Sequence, residues 1–280
     1  MLNPNKIVTI SKSSSKDHHL QRRMKLAEWM LNATNGKKSI ALFFSGKEKS
    51  RNGDNFYPFR SSSDFFYLTG FPEPDAWLLI SCSEKDKFCD TIFCLPKDPV
   101  HELWNGSRIG PQEAVNNFLF QNSHSLDNLQ AEVEKEFCTA QNLFLPFTES
   151  IEIDELVKNL FIKIKKQSRG KKTPPQKIID ASQIIANFRL IKDKKEIKTM
   201  RKAAQISSSA HVRAMRFCKP GVAEYEIEAE IIHEFRKSGS QSVAYPSIVA
   251  SGPNSCILHH KASQRVLNKH EIVLIDAGCE

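Results

Sequence analysis

Residues 167–176, QSRGKKTPPQ, combine a glycine, two prolines and a cluster of basic side chains. Proline has a fixed φ and no N–H, and glycine is conformationally loose, so such a stretch continues neither helix nor sheet and marks a boundary between folded segments. It divides the chain into residues 1–170 and 176–280. Upstream, residues 17–31 place Leu20, Met24, Ala27 and Leu31 at helical spacing with basic residues between them. Asn35-Gly36 ends that helix, and residues 39–44 read as a buried strand. A polar loop covers 45–57. Residues 78–81 and 91–95 read as further strands across the charged turn 83–90, and residues 126–137 and 154–165 have helical spacing. Strands alternating with helices argue for an α/β domain over about the first 170 residues.

Downstream the helix signals sharpen. Asp193 and Glu196 form a D-x-x-E arrangement, in which the Asp side chain takes an orphan N–H of the first helical turn. Ile197, Met200, Ala204, Ser207, Ala210, Ala214 and Phe217 then line one face of a long helix, closed by Pro220-Gly221. A second helix covers 224–237, with Ile227, Ile231 and Phe235 on one stripe. Residues 243–250, a Gly-Pro-Asn turn, residues 256–260 and a strand at 272–276 complete the pattern.

The chain has 280 residues, 40% of them hydrophobic and 26% charged, the balance of a folded globular protein. No apolar run is long enough to span a bilayer, and residues 1–10 lack the pattern of a secretory signal, so a cytoplasmic protein is expected. Seven cysteines, none in a C-x-x-C pair, suggest reduced thiols rather than a zinc ribbon or disulfide framework. The net charge of +8 is concentrated in tracts such as 163–172. With no helix-turn-helix, RNP or zinc-finger pattern, these read as solvated linkers and no nucleic-acid partner is expected.

Two residue groups invite chemistry, and each has a plain structural alternative. Asp276 ends an apolar strand beside Ala277 and Gly278. It is either a turn residue closing that strand or a carboxylate whose burial needs a partner such as a metal. His259 and His260 follow an apolar triplet. In a strand they point to opposite faces, so at most one faces a pocket, and a packed, hydrogen-bonded histidine is the plain alternative. Trp104 fits either a core or a subunit contact. The Phe65-Phe66-Tyr67 cluster reads as core.

Four spans, in this order, carry a resemblance: YPFRSSSDFFYLTGFPEPDA (57–76); ELWNGSRIG (102–110); FRLIKDKKEI (188–197) with Met200, Ala210-His211, Met215, Pro220-Gly221 and Glu224; and IVASGPNSCILH (248–259) followed by IVLIDAGCE (272–280). Together they resemble the aminopeptidase P branch of the creatinase/methionine-aminopeptidase superfamily. The resemblance implies an α/β (α+β) chain: a small α/β N-terminal domain over 1–170, then the first half of a pita-bread catalytic domain over 176–280. It implies hydrolysis of the bond between an N-terminal residue and a following proline by two divalent metals, manganese being the expected ion. That bond is a tertiary amide with no N–H to grip, which suits metal chemistry over backbone recognition.

In that family two Asp, one His and two Glu hold the metals. Asp276 falls on the first Asp, and the other four ligands would lie beyond Glu280. His259 falls on an active-site histidine that lies beside the substrate and is not a ligand. His260 departs from the aromatic residue expected there. The 280-residue chain alone is therefore expected to hold no metal and to be inactive, with peptides carrying proline second as substrates of the complete enzyme and a homo-oligomer as its state. The alternative is a non-catalytic binding or assembly module on the same fold.

Overall fold

The computed structural model describes residues 17–84, 88–167 and 172–280. It divides into two compact units between Arg189 and Leu190.

In the first unit, α1 (His18–Ala33) precedes β1 (Ser39–Phe44), and the short strands β2 (Ser50–Asn52) and β3 (Asn55–Phe56) form a hairpin within the segment expected to be loop. α2 (Ser63–Thr69) leads to β4 (Trp77–Cys82) and β5 (Cys89–Cys94). α3 (Pro99–Asn105), α4 (Gly110–Phe118), β6 (Asn122–Ser125), α5 (Leu129–Phe137), β7 (Asn142–Leu145), α6 (Ile151–Gln167), β8 (Lys177–Asp180) and α7 (Ser182–Leu190) follow. Six strands form one sheet in the order β6-β5-β4-β1-β7-β8. β1, β4 and β5 are antiparallel neighbours, whereas β6, β7 and β8 each pair parallel.

Alternation along the strands splits the core in two. Ala41, Phe43, Leu78, Ile80 and Ile92 face α1, α2, α4 and α7, where Leu26, Met30, Phe65, Ala114 and Ile185 meet them. Ile40, Leu42, Leu79, Phe93 and Leu143 face α5 and α6, where Val133, Phe137, Val157, Leu160 and Ile164 meet them. Of the aromatic cluster, Phe65 is core, Tyr67 is partly buried and Phe66 is exposed.

The unit division lies beyond the stretch 167–176, of which residues 168–171 are outside the described residues. β8 pairs with β7 in the first sheet, and Ile184 and Ile185 of α7 enter the first core. Residues 172–176 thus lead into a strand of the first unit and not into the second unit. Composition marks a loop there, and composition alone cannot tell a crossover from a linker.

The second unit has two helices against a two-stranded ribbon. α8 (Lys194–Phe217) opens with the expected cap: the Asp193 carboxylate accepts from the N–H groups of Lys195 and Glu196, and Glu196 accepts from the N–H of Asp193. α9 spans Glu224–Lys237. β9 (Ile248–Ser251) and β10 (Val273–Asp276) are antiparallel. Ile206, Ala210, Ala214, Ile227, Ile231, Phe235 and Val249 form the core. Ile197 and Met200, expected on the buried face of α8, are exposed. α9 has 14 residues against 24 and covers only part of that helix.

The largest departure from the sequence reading concerns Arg23. It falls among the basic residues between the apolar positions of α1, yet it is wholly buried. Its Nε lies 2.5 Å from Asp90 Oδ2, and its Nη groups donate to the carbonyls of Leu68, Phe118 and Leu119 at 2.9–3.1 Å. One guanidinium thereby joins α1, the end of α2, β5 and the end of α4. Removing one partner of a buried ion pair strands the other's charge. Arg23→Ala is expected to cost about 3–5 kcal/mol, read from the urea midpoint of the first unit. Lys135→Ala, which removes an exposed pair with Glu132, is the control and should leave the midpoint unchanged.

Candidate functional site

Both candidate residues belong to the second unit, and each takes its place from the ribbon. In the register of β9 and β10, Asp276 lies opposite Ile248 and Val273 opposite Ser251. Asp276 is exposed at the strand end, and its Oδ1 accepts a hydrogen bond from the Tyr245 hydroxyl at 2.6 Å. It is therefore an open carboxylate oriented by one donor, not a buried one.

Residues 256–260 do not form a strand. Ser251 passes into a 3-10 helix, Gly252–Cys256, and then a turn in which the His260 N–H donates to the Ile257 carbonyl. Strand alternation does not apply there. His259 is exposed, which removes the packed-histidine reading, and His260 turns inward with its side chain 12% exposed. Gly252 has φ +51°, a left-handed conformation that favours glycine, and a Cβ there would lie 2.8 Å from Arg265 Nη2, which would have to shift. The loop bearing His259 leaves from Ser251, three residues along β9 from the partner of Asp276, about 10 Å of strand. Among the described residues no hydrogen bond joins the two candidates.

The group that organises this region was not singled out as a site residue. Glu224, the first residue of α9, is wholly buried. Its Oε1 accepts from Ser251 N (2.7 Å), Ser251 Oγ (2.8 Å) and Asn254 Nδ2 (3.0 Å). Its Oε2 accepts from His260 Nε2 (2.8 Å), Ser263 N (3.1 Å) and Ser263 Oγ (2.6 Å). Burial alone would raise its pKa, but the donors Ser263, His260, Asn254 and Ser251 outweigh burial and hold it well below the usual carboxylate range. Arg265 adds a bond to Ser251 Oγ and a two-pronged pair with Glu271. That pair, with donors from Asn268, lowers Glu271 to about 2. In the sequence Glu224 stands among the residues that carry the resemblance and as an acidic residue in a helical first turn, which many helices have for capping alone, and neither signal gives its partners.

For a metal pair, the described residues offer Asp276, a hard oxygen donor of the right kind. Among them no group of three or more His, Cys, Asp or Glu side chains is disposed to hold an ion. The residues present fit one ligand position and do not by themselves make a metal centre.

The Tyr245–Asp276 contact has a measurable consequence. The hydrogen bond to Asp276, with burial, raises the Tyr245 pKa above its ordinary value, because ionising the phenol breaks that bond and sets two anions side by side. Asp276→Asn is expected to bring the Tyr245 transition back down in an ultraviolet phenolate titration, with Tyr245→Phe assigning the transition. Coincident curves for the wild type and Asp276→Asn would contradict the contact.

The family descriptions "Aminopeptidase P, N-terminal domain" and "Metallopeptidase family M24" match residues 19–144 and 198–280. Xaa-Pro aminopeptidase of Escherichia coli is 34% identical over 266 residues, 95% of this chain and 59% of that protein. The Haemophilus influenzae Xaa-Pro aminopeptidase is 38% identical over 86% of this chain and 54% of its own length. The solved structure of E. coli aminopeptidase P in its low-pH form superposes with a TM-score of 0.90 at 33% identity, over 96% of this chain and 60% of that one. The chain thus spans somewhat more than half the length of the relatives it matches. With both family descriptions in order along one chain, and the fold of the N-terminal domain and of part of the M24 catalytic domain reproduced, the chain belongs to the aminopeptidase P family of metallopeptidases.

Proposed function

We propose that this chain forms part of an Xaa-Pro aminopeptidase, which removes an N-terminal residue preceding proline at a dinuclear metal centre. The observation that carries the reading is an exposed histidine on a pinned turn, His259, in the same M24-matching unit as a strand-end carboxylate, Asp276, oriented by a tyrosine hydroxyl. Divalent ions in such a centre supply an activated water and polarise the scissile carbonyl. Asp276 is assigned as one oxygen ligand, aimed by Tyr245. His259 is assigned to hydrogen-bond the substrate carbonyl or carry a proton, a task suited to an imidazole near neutral pH.

Manganese is the proposed ion. A solved E. coli aminopeptidase P is described as zinc-substituted and in complex with product, so that relative accepts a divalent metal. The remaining ligands are not among the described residues, and we assign the 280-residue chain no activity of its own.

The domain assignment keeps an aminopeptidase P N-terminal part and a first catalytic half, with the division moved to the unit boundary after Arg189. A homo-oligomer is supported by α3, which buries none of its residues and leaves Val100, Leu103 and Trp104 72%, 81% and 81% exposed. Trp104 is thus no core residue, and an exposed aromatic beside aliphatic side chains suits a subunit contact. A cytoplasmic location is supported by seven thiols that are all unpaired. No helix of the described residues is long and apolar enough to cross a membrane.

Calorimetric titration of the 280-residue chain with Mn²⁺, together with a proline-containing peptide assay, is expected to show neither stoichiometric binding nor turnover. A two-metal isotherm or chelator-sensitive cleavage would overturn the assignment of inactivity. In a protein carrying the full ligand set, Asp276→Asn should abolish metal binding. His259→Ala should keep the metals and lose on the order of 10²–10⁴ in rate. An unchanged kcat/KM in that variant would refute the role given to His259.

A further inference from the structure

Glu224 does more than satisfy a helix end. Its six donors come from Ser251, Asn254, His260 and Ser263, four positions spread along the segment that bears His259. Two of these lie before His259 and two after it. Beyond the side-chain bonds, Glu224 N donates to the Arg265 carbonyl and Tyr225 N to the Ser263 carbonyl, which fixes the far end of the segment to the start of α9. Arg265 closes the frame by bonding both Ser251 Oγ and Glu271.

Between these anchors the chain has little else to hold it. Cys256, Ile257, Leu258, His259 and Lys261 are all exposed, Leu258 at 88%. His260 is the one side chain of this turn that reaches the interior anchor, and it lies next to His259. An ionised carboxylate only accepts, so His260 must carry a proton on Nε2 to make the 2.8 Å bond. A hydrogen bond to a buried charge is among the stronger ones available to a side chain. Releasing His260 would leave the turn from 256 to 262 tied only through its ends.

We propose that Glu224, acting through His260, is the positioning element that presents His259 from its turn. The inference rests on the reading of His259 as the functional histidine, but it concerns how that ring is held and not what it does. Neither Glu224 nor His260 touches a reacting atom in this account. His260 stands where an aromatic residue was expected from the resemblance, so the donor half of this anchor is not one the resemblance supplied.

The test uses the 280-residue chain with labelled histidines and needs neither metal nor turnover. In the wild type the His259 ring should give dispersed resonances of an ordered side chain, with protected amides at His260 and Ser263. His260→Phe keeps a ring and removes the donor. It should speed exchange at both amides roughly 10- to 100-fold, the loss expected with a bond to a charged group, and collapse the His259 signals toward those of free histidine. Protection in α8 and α9 should stay unchanged. His260→Gln restores an N–H donor and should recover part of the protection and dispersion, which a loss of packing alone would not explain. Glu224→Gln, if it folds, should act like His260→Phe. His259→Ala should leave the two amides protected, so a failure of the catalytic reading is distinguishable from a failure of this one. Unchanged His259 resonances and amide protection in His260→Phe, or no recovery in His260→Gln, would overturn the proposal.

Discussion

A carboxylate taken wholly out of water has to find donors for its lone pairs, and the second unit is arranged around one that does. Left bare, Glu224 would either neutralise or destabilise the fold. Six hydrogen bonds remove that choice, and they draw the start of α9, the end of β9, the 3-10 helix and the return segment to one point. The N-terminus of α9 adds the positive end of its dipole to the same site. The first unit repeats the logic with a different partner. Asp90 takes the Nε–H of Arg23 on one oxygen and the N–H of Gln121 on the other, and the Nη groups of Arg23 donate to three carbonyls. A buried ion pair in the first unit and a buried carboxylate in the second thus specify which segments meet.

Much of the fold was legible because its signals are local. The capping box at Asp193 and Glu196, the stripe of Ile227, Ile231 and Phe235, and the apolar run 39–44 each identify an element without reference to the rest of the chain. What escaped was non-local. β7 is only four residues long, and nothing in Asn142–Leu145 announces a strand beside β1; its place comes from parallel pairing across about a hundred residues. The same holds for β8, which joins the first sheet only through its pairing with β7. The buried place of Arg23 could not be read because the periodicity of α1 carries no information about Asp90.

The candidate site was legible to a smaller extent. Residue chemistry alone left Asp276 divided between turn and ligand, and His259 between packing and function. The resemblance chose between them, and the geometry adds that both are exposed, one held by Tyr245 and the other carried on a turn. Reading residues 256–260 as a strand missed the 3-10 helix, whose Gly252 lies against the Arg265 and Glu271 side chains further along the chain. The role of Glu224 could not be read at all, because its donors are four polar residues of common type scattered over thirteen positions.

The state of the Glu224 carboxylate is the most direct measure of whether the site is built as described. Its folded-state pKa is depressed, so its contribution to stability is present above the ordinary carboxylate value and is lost as pH falls toward the folded value. A carboxyl-carbon NMR titration of the 280-residue chain, assigned with Glu224→Gln, reads that state. The Glu224 signal should stay at its ionised position while exposed glutamates titrate near pH 4–5, and should move only when the second unit unfolds in acid. An ordinary titration of Glu224 in the folded chain would contradict this.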